Sequence, residues 1–233
     1  MIMRNDKLPL HAEMMIKVCG MKEADNIRNV AALTPMMMGF IFYAESPRYT
    51  GELDPAVVRS LPEHVRPVGV FVDAPEDEVL SVCDRYGIRI AQLHGDESPE
   101  MCRSLRESGL TVFKAVGIAD ESDIARLAAY AWSVDMFVFD TKSEAHGGTG
   151  RKFDHSLLEK YALDVPYLLG GGIGPDDVDA IVSAMRPGMA GIDINSRFEV
   201  SPGIKNLRTL IKFILSLRSL NEYEPNYTPF WEK

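Results

Sequence analysis

The chain has 233 residues, an ordinary globular composition and a formal net charge of −9. That length suits one large domain or two small ones, and the negative balance argues against nucleic acid as the main partner, because gripping a phosphate backbone takes clustered cations. No apolar run reaches the roughly 18 residues of a membrane span, and three cysteines without CxxC spacing argue against a disulfide framework or a structural zinc site.

Residues 1–13, "MIMRNDKLPLHAE", lack the apolar centre of a signal peptide and read as an N-terminal extension of a cytoplasmic protein. Short apolar runs then alternate with amphipathic stretches. The runs are "MMIKVCG" (14–20), "MMGFIF" (37–42), "PVGVFV" (67–72), "RIAQLH" (89–94), "TVFKAV" (111–116), "MFVFD" (136–140), "PYLLGG" (166–171) and "MAGIDIN" (189–195). Between them, "PEDEVLSVCDRYG" and "SPEMCRSLRESG" read as helices, the second with Ser98 as N-cap and Gly109 as stop. Strands start about 20 to 30 residues apart, the length of one βα unit. Strands this continuously apolar belong to a sheet covered on both faces, hence parallel. Eight such units predict an α/β fold, a single-domain (β/α)8 barrel over residues 14–219, followed by an irregular tail at 220–233. An open doubly wound sheet would carry a GxGxxG turn after its first strand, and "CGMKEAD" has none.

In such a barrel the C-terminal ends of the strands carry the chemistry. Residues two apart share a strand face. Strand 1 therefore presents Lys17 with Cys19 and strand 4 presents Gln92 with His94, while strand 6 ends on Asp140 and strand 8 contains Asp193. Each has a plain structural reading: a strand cysteine is more often a small buried hydrophobe than a base, and a terminal Asp often only caps a turn. Their coincidence at one end of the barrel is what marks them as a site.

The stretch hanging from Asp140, "TKSEAHGGTGRK", is too long for a turn of about two to five residues. Its "GGTGRK" is not a nucleotide P-loop, since Lys152 is followed by Phe153 rather than Ser or Thr. After strand 7, "LLGGGIGPDDVDAI" sets three glycines before Pro175, which reads as opening a helix; after strand 8 comes "DINSRFEVSPGIKN". Glycine turns let backbone N–H groups converge on an anion, and these two turns are where barrels commonly hold phosphate. Gly171, Gly172, Asp193, Asn195 and Ser196 are the phosphate-binding candidates.

"IKVCGMK", "GFIFYAESPRY", "AQLHGDES", "FDTKSEAHGGTGRKFD", "LLGGGIGPDDV" and "GIDINSRFEVSPGIKN" follow in order between residues 16 and 206. Together they resemble the phosphoribosylanthranilate isomerases of tryptophan biosynthesis, a (β/α)8 family. The resemblance implies an Amadori rearrangement of N-(5-phospho-β-D-ribosyl)anthranilate to 1-(2-carboxyphenylamino)-1-deoxy-D-ribulose 5-phosphate. It makes Cys19 the general base, Asp140 the general acid and Arg48 of "SPR" the partner of the anthranilate carboxylate. Lys17, Gln92 and His94, set at the same barrel end by alternation, are the further substrate-binding candidates, and the charge of Lys17 is expected to help Cys19 act as thiolate. Gly147, Gly148 and Gly150 would let the loop after strand 6 bend over the opened sugar as a lid. No metal or organic cofactor is implied, because an iminium formed from the substrate is its own electron sink. The implied partner is a small phosphosugar, and the implied assembly is a monomer or homodimer.

Two positions depart from the family's pattern. "NSR" (Asn195, Ser196, Arg197) stands where SSG is common, and His155 stands where tryptophan is common after "FD". Among rival readings, the related histidine-pathway isomerase uses a carboxylate where this chain has Cys19. A metal-dependent pentose-phosphate epimerase needs several histidine and aspartate ligands, and only His94 of five histidines lies in a strand. An inert ligand-binding barrel would lack the acid or the base.

Overall fold

The computed structural model describes residues 14–141 and 154–219. Eight parallel strands close into a barrel in chain order: β1 (Met15–Val18), β2 (Met37–Ile41), β3 (Arg66–Phe71), β4 (Ile90–Leu93), β5 (Thr111–Ile118), β6 (Met136–Thr141), β7 (Tyr167–Leu169) and β8 (Met189–Ile194). The ring shuts between β1 and β8, where Lys17 stands opposite Asp193. The expected (β/α)8 architecture is the observed one. Boundaries move slightly: β5 continues to Ile118, while Cys19 and His94 stand just beyond the ends of β1 and β4.

Outside the barrel lie α1 (Ala24–Ala31), α2 (Pro55–Arg59), α3 (Glu76–Tyr86), α4 (Pro99–Glu107), α5 (Glu121–Arg126), α6 (Val178–Ala184) and α7 (Leu207–Ser219). Local chemistry sets their ends. Ser98 Oγ accepts the Met101 N–H at 3.3 Å, Pro99 occupies a first turn that needs no donor, and Gly109 follows at φ +91°. α3 puts Glu76, Asp77 and Glu78 against the positive end of its dipole and stops at left-handed Gly87. The helix expected to open at Pro175 begins instead at Val178. Asp177 Oδ2 accepts the Gly174 N–H at 2.6 Å and the Asp177 N–H reaches Gly174 O at 3.2 Å, so the chain closes a turn before it can propagate a helix.

The core has two layers because strand side chains alternate. Met15, Met37, Val68, Ile90, Phe113, Met136, Val138 and Leu168 form an apolar cluster inside the barrel. A larger cluster, including Val18, Phe40, Phe71 and Phe139, packs between strands and helices. Each such side chain contributes about 1.5–3 kcal/mol on burial.

One element is unexpected. After β8 a 3-10 turn (Ser196–Phe198) leads into a hairpin of β9 (Glu199–Ser201) and β10 (Ile204–Lys205), turned by Gly203 at φ +85°. Strands this short carry no readable alternation. The expected N-terminal extension, the lid glycines Gly147, Gly148 and Gly150, and the expected tail lie outside the described residues. Among the described residues no helix is long and apolar enough to cross a membrane.

Candidate active site

The C-terminal ends of the strands enclose a cavity of about 370 Å³. Cys19, Arg48, Gln92, His94, Asp140, Gly171, Gly172, Asp193, Asn195 and Ser196 all line it. Lys17 does not. Its side chain is fully buried, and Nζ donates to Asp193 Oδ1 and Oδ2 at 3.0 and 2.9 Å. Lys17 is level with Asp193 on the neighbouring strand, one step below Cys19, and its ammonium turns to that carboxylate, which itself lines the cavity. Burial alone would pull the proton off Lys17; Asp193 and Cys19 more than reverse this and keep it charged.

Cys19 is nearly sealed, 4% exposed. Burial pushes its thiol above the ordinary value, Lys17 opposes that shift and Asp193 reinforces it. The sulfur fits because β2 has Gly39 beside it: a Cβ there would stand 2.6 Å from Sγ.

Asp140 comes in from β6. Its Oδ1 accepts the Thr141 N–H at 2.7 Å, and His94 Nε2 lies 3.7 Å from Oδ2. Burial pushes the carboxyl up, the Thr141 amide and the Lys17 charge pull it down, the Asp193 charge adds to the rise, and the net value is about 6. Such a group holds a proton far more often near neutral pH than an ordinary carboxyl does. The turn after β7 passes close beneath it because Gly171 adopts φ +77°; a Cβ there would lie 2.8 Å from Thr141 N.

Arg48 reaches the cavity from the loop after β2. Its Nε and Nη2 donate to Glu199 Oε1 and Oε2 at 3.0 and 2.8 Å, a two-pronged pair. Glu199 belongs to the unexpected hairpin and also accepts from Lys205 Nζ at 2.6 Å; Lys205 Nζ in turn donates to Asn195 Oδ1 at 2.7 Å. Burial pushes the Glu199 carboxyl up, but hydrogen bonds from Arg48 and the Lys205 charge override it and hold it below its ordinary value. Asn26 of α1 docks the hairpin, accepting the Lys205 N–H at 2.8 Å and donating to Lys205 O at 2.9 Å. Sequence reading missed Glu199 and Lys205, whose only signal is a pair of charges flanking a Pro-Gly turn.

A second buried pair was also unforeseen. Lys114 Nζ donates to Gly95 O at 2.6 Å and to Glu97 Oε2 at 3.1 Å, while Glu97 accepts the Asp73 and Gly95 N–H groups, each at 3.0 Å. This knot ties the turns after β3 and β4 and so fixes the backbone beside His94. Next to it, Gln92 is 1% exposed, and its Oε1 has no hydrogen-bond partner among the described residues. An unmatched buried acceptor in a cavity wall awaits a donor. Among the described residues no group of three His, Cys, Asp or Glu side chains is arranged to hold a metal ion.

The sequence matches the family described as N-(5'phosphoribosyl)anthranilate (PRA) isomerase over residues 16–216. The N-(5'-phosphoribosyl)anthranilate isomerase of Parabacteroides distasonis is 43% identical over 203 residues, spanning 86% of this chain and 92% of the relative. That of Phocaeicola vulgatus is 38% identical over 205 residues, spanning 88% and 98%. The crystal structure of the Thermotoga maritima phosphoribosyl anthranilate isomerase is similar with a TM-score of 0.79 at 30% identity, over 89% of this chain and 100% of the other. A phosphoribosyl anthranilate isomerase solved in complex with reduced 1-(o-carboxyphenylamino)-1-deoxyribulose 5-phosphate gives 0.76 at 28%, with the same coverage. Sequence profile, full-length relatives and barrel agree across all eight strands, and the chain belongs to the N-(5'-phosphoribosyl)anthranilate isomerase family.

Proposed function

We propose that this chain isomerises N-(5'-phosphoribosyl)anthranilate in tryptophan biosynthesis with Asp140 as the general acid and Cys19 as the general base. The observation that supports the pairing is a carboxyl with its pKa raised to about 6 and a buried thiol lining one cavity. Asp140 gives its proton to the furanose ring oxygen. The C1–O bond breaks, and the anilino nitrogen lone pair forms a C1=N iminium. Cys19, as thiolate, takes the proton from C2, and the electrons of that bond become a C1=C2 double bond. The resulting enolamine loses its C2 hydroxyl proton and gains one at C1, leaving the C2 ketone and a secondary amine.

A carboxyl near 6 is mostly ionised at neutral pH and a thiol held above its ordinary value is not, the reverse of the working pair. Substrate corrects this. Its carboxylate and phosphate both disfavour charge on Asp140, and the iminium forming beside Cys19 favours the thiolate. Arg48, still holding free N–H groups beyond those on Glu199, meets the aryl carboxylate. Backbone N–H groups around Gly171, Gly172, Asn195 and Ser196 take the phosphate, and Gln92 Oε1 accepts from a sugar hydroxyl.

The test is steady-state kinetics of Asp140→Asn and Cys19→Ala, each with product binding measured in parallel. Each kcat should fall by about 10²–10⁴-fold while the product dissociation constant changes little. A variant retaining wild-type kcat would remove that residue from its role. With substrate deuterated at C2, Cys19→Ser should show a larger isotope effect than the unmodified protein, since proton removal then limits the rate.

A further inference from the structure

We infer that Arg197 is a specificity-determining residue whose guanidinium binds the terminal phosphoryl group of the substrate directly. The inference rests on the placement of phosphate at the turns after β7 and β8 proposed above, and extends it from backbone donors to a side chain.

The starting point is charge. Among the described residues, three cations beside the cavity are matched: Lys17 pairs with Asp193 at 2.9 Å, while Arg48 and Lys205 share Glu199 at 2.8 and 2.6 Å. A phosphomonoester carries close to two negative charges at neutral pH. The glycine turns offer it amide dipoles but no full charge. Arg197 differs from the other three. It is exposed, and no described residue forms an ion pair or hydrogen bond with it.

Its placement is set at both ends. The residue follows Asn195 and Ser196, which line the cavity, and its turn is anchored by fully buried Phe198. The side chain then crosses to the neighbouring loop, where the Cβ position on Gly174 lies 3.4 Å from Nε and 3.7 Å from Nη2. Arg197 therefore reaches from the turn after β8 across to the turn after β7, beside the residues that line the cavity. Asp177 Oδ2 stands 3.4 Å from the same Cβ position and accepts the Gly174 N–H at 2.6 Å, which fixes the turn that Arg197 packs against. A guanidinium in this position supplies paired donors matched to phosphoryl oxygens.

Arg197→Ala and Arg197→Lys in the full-length chain test the assignment. Calorimetry with inorganic phosphate, and with anthranilate as the phosphate-free control, reads binding apart from chemistry. For Arg197→Ala the phosphate dissociation constant should rise about tenfold or more, KM should rise with it at unchanged kcat, and anthranilate binding should not move. Arg197→Lys should recover part of the loss, because it keeps the charge but not the fork. Phosphate binding within twofold of wild type in Arg197→Ala, or an equal loss for anthranilate, overturns the inference. Wild-type protein that binds phosphate through Arg197 yet turns over no substrate leaves it standing while the catalytic assignment falls.

Discussion

Two levels of the same barrel interior differ in chemistry although they share strands and direction. Along β4 the inward side chains read Ile90 and then Gln92; along β6, Met136, Val138 and then Asp140; along β1, Met15 and then Lys17. One step of two residues, about 6.6 Å along a strand, separates an apolar plug from a polar floor. The plug is held by packing that any well-shaped hydrocarbon satisfies. Above it every buried charge needs a named partner, because an unpaired ion in such surroundings costs several kcal/mol. The lesson is a division of labour: the lower level closes the barrel, and that closure lets the upper level carry charges that packing alone would reject.

Lys17→Met carries the largest expected effect on that division. It strands Asp193 in the upper level, and unfolding by urea should show a loss of about 3–5 kcal/mol. The loss should shrink at low pH, where Asp193 takes up a proton instead. Lys17→Met combined with Asp193→Leu makes the upper level resemble the lower, and most of the stability should return. Activity should not return with it. A single variant costing under about 1 kcal/mol would mean that the ion pair does not organise the floor.

The plug makes the complementary test. Met136→Ala empties a fully buried position two steps below Asp140, with an expected loss of about 2–4 kcal/mol. Because the plug only supports the floor, kcat per folded molecule should stay within about twofold. A much larger fall in kcat would show that the two levels are not separable.

The same contrast explains what was legible in the sequence. Plug and strands announce themselves through long apolar runs, so the barrel and its order follow from spacing. Cys19, Gln92, His94 and Asp140 stand out because a polar residue in such a run is conspicuous, and alternation puts each on the inward face. Partnerships were harder to read. For Lys17 the pattern gives an inward direction but not a partner, which is Asp193 across the β1–β8 seam. Glu199 and Lys205 were invisible because a hairpin of two short strands has no period, and their meaning lies in Arg48 and Asn195. Glu97 and Lys114 read as ordinary helix-loop and strand residues until the turns after β3 and β4 are brought together around them.

The smallest effect concerns Asp140, whose carboxyl the floor matches with one backbone amide and a histidine nitrogen 3.7 Å away. Its folded pKa of about 6 lies above the ordinary value of 3.8. Between those two values the folded chain binds more protons than the unfolded one, so stability falls as pH rises from about 4 to 6 and stays lowered above that. The carboxyl is 19% exposed, so the full linkage value is discounted to about 1–2 kcal/mol. Asp140→Asn should therefore be more stable than the unmodified protein by that amount at pH 8, with the gap closing towards pH 4, while its isomerase activity is lost. Subtracting the two stability curves removes the groups that Asp140 does not touch. A difference that stays flat from pH 4 to 8 would mean an ordinary carboxylate, ionised throughout, with no proton to give to the ring oxygen.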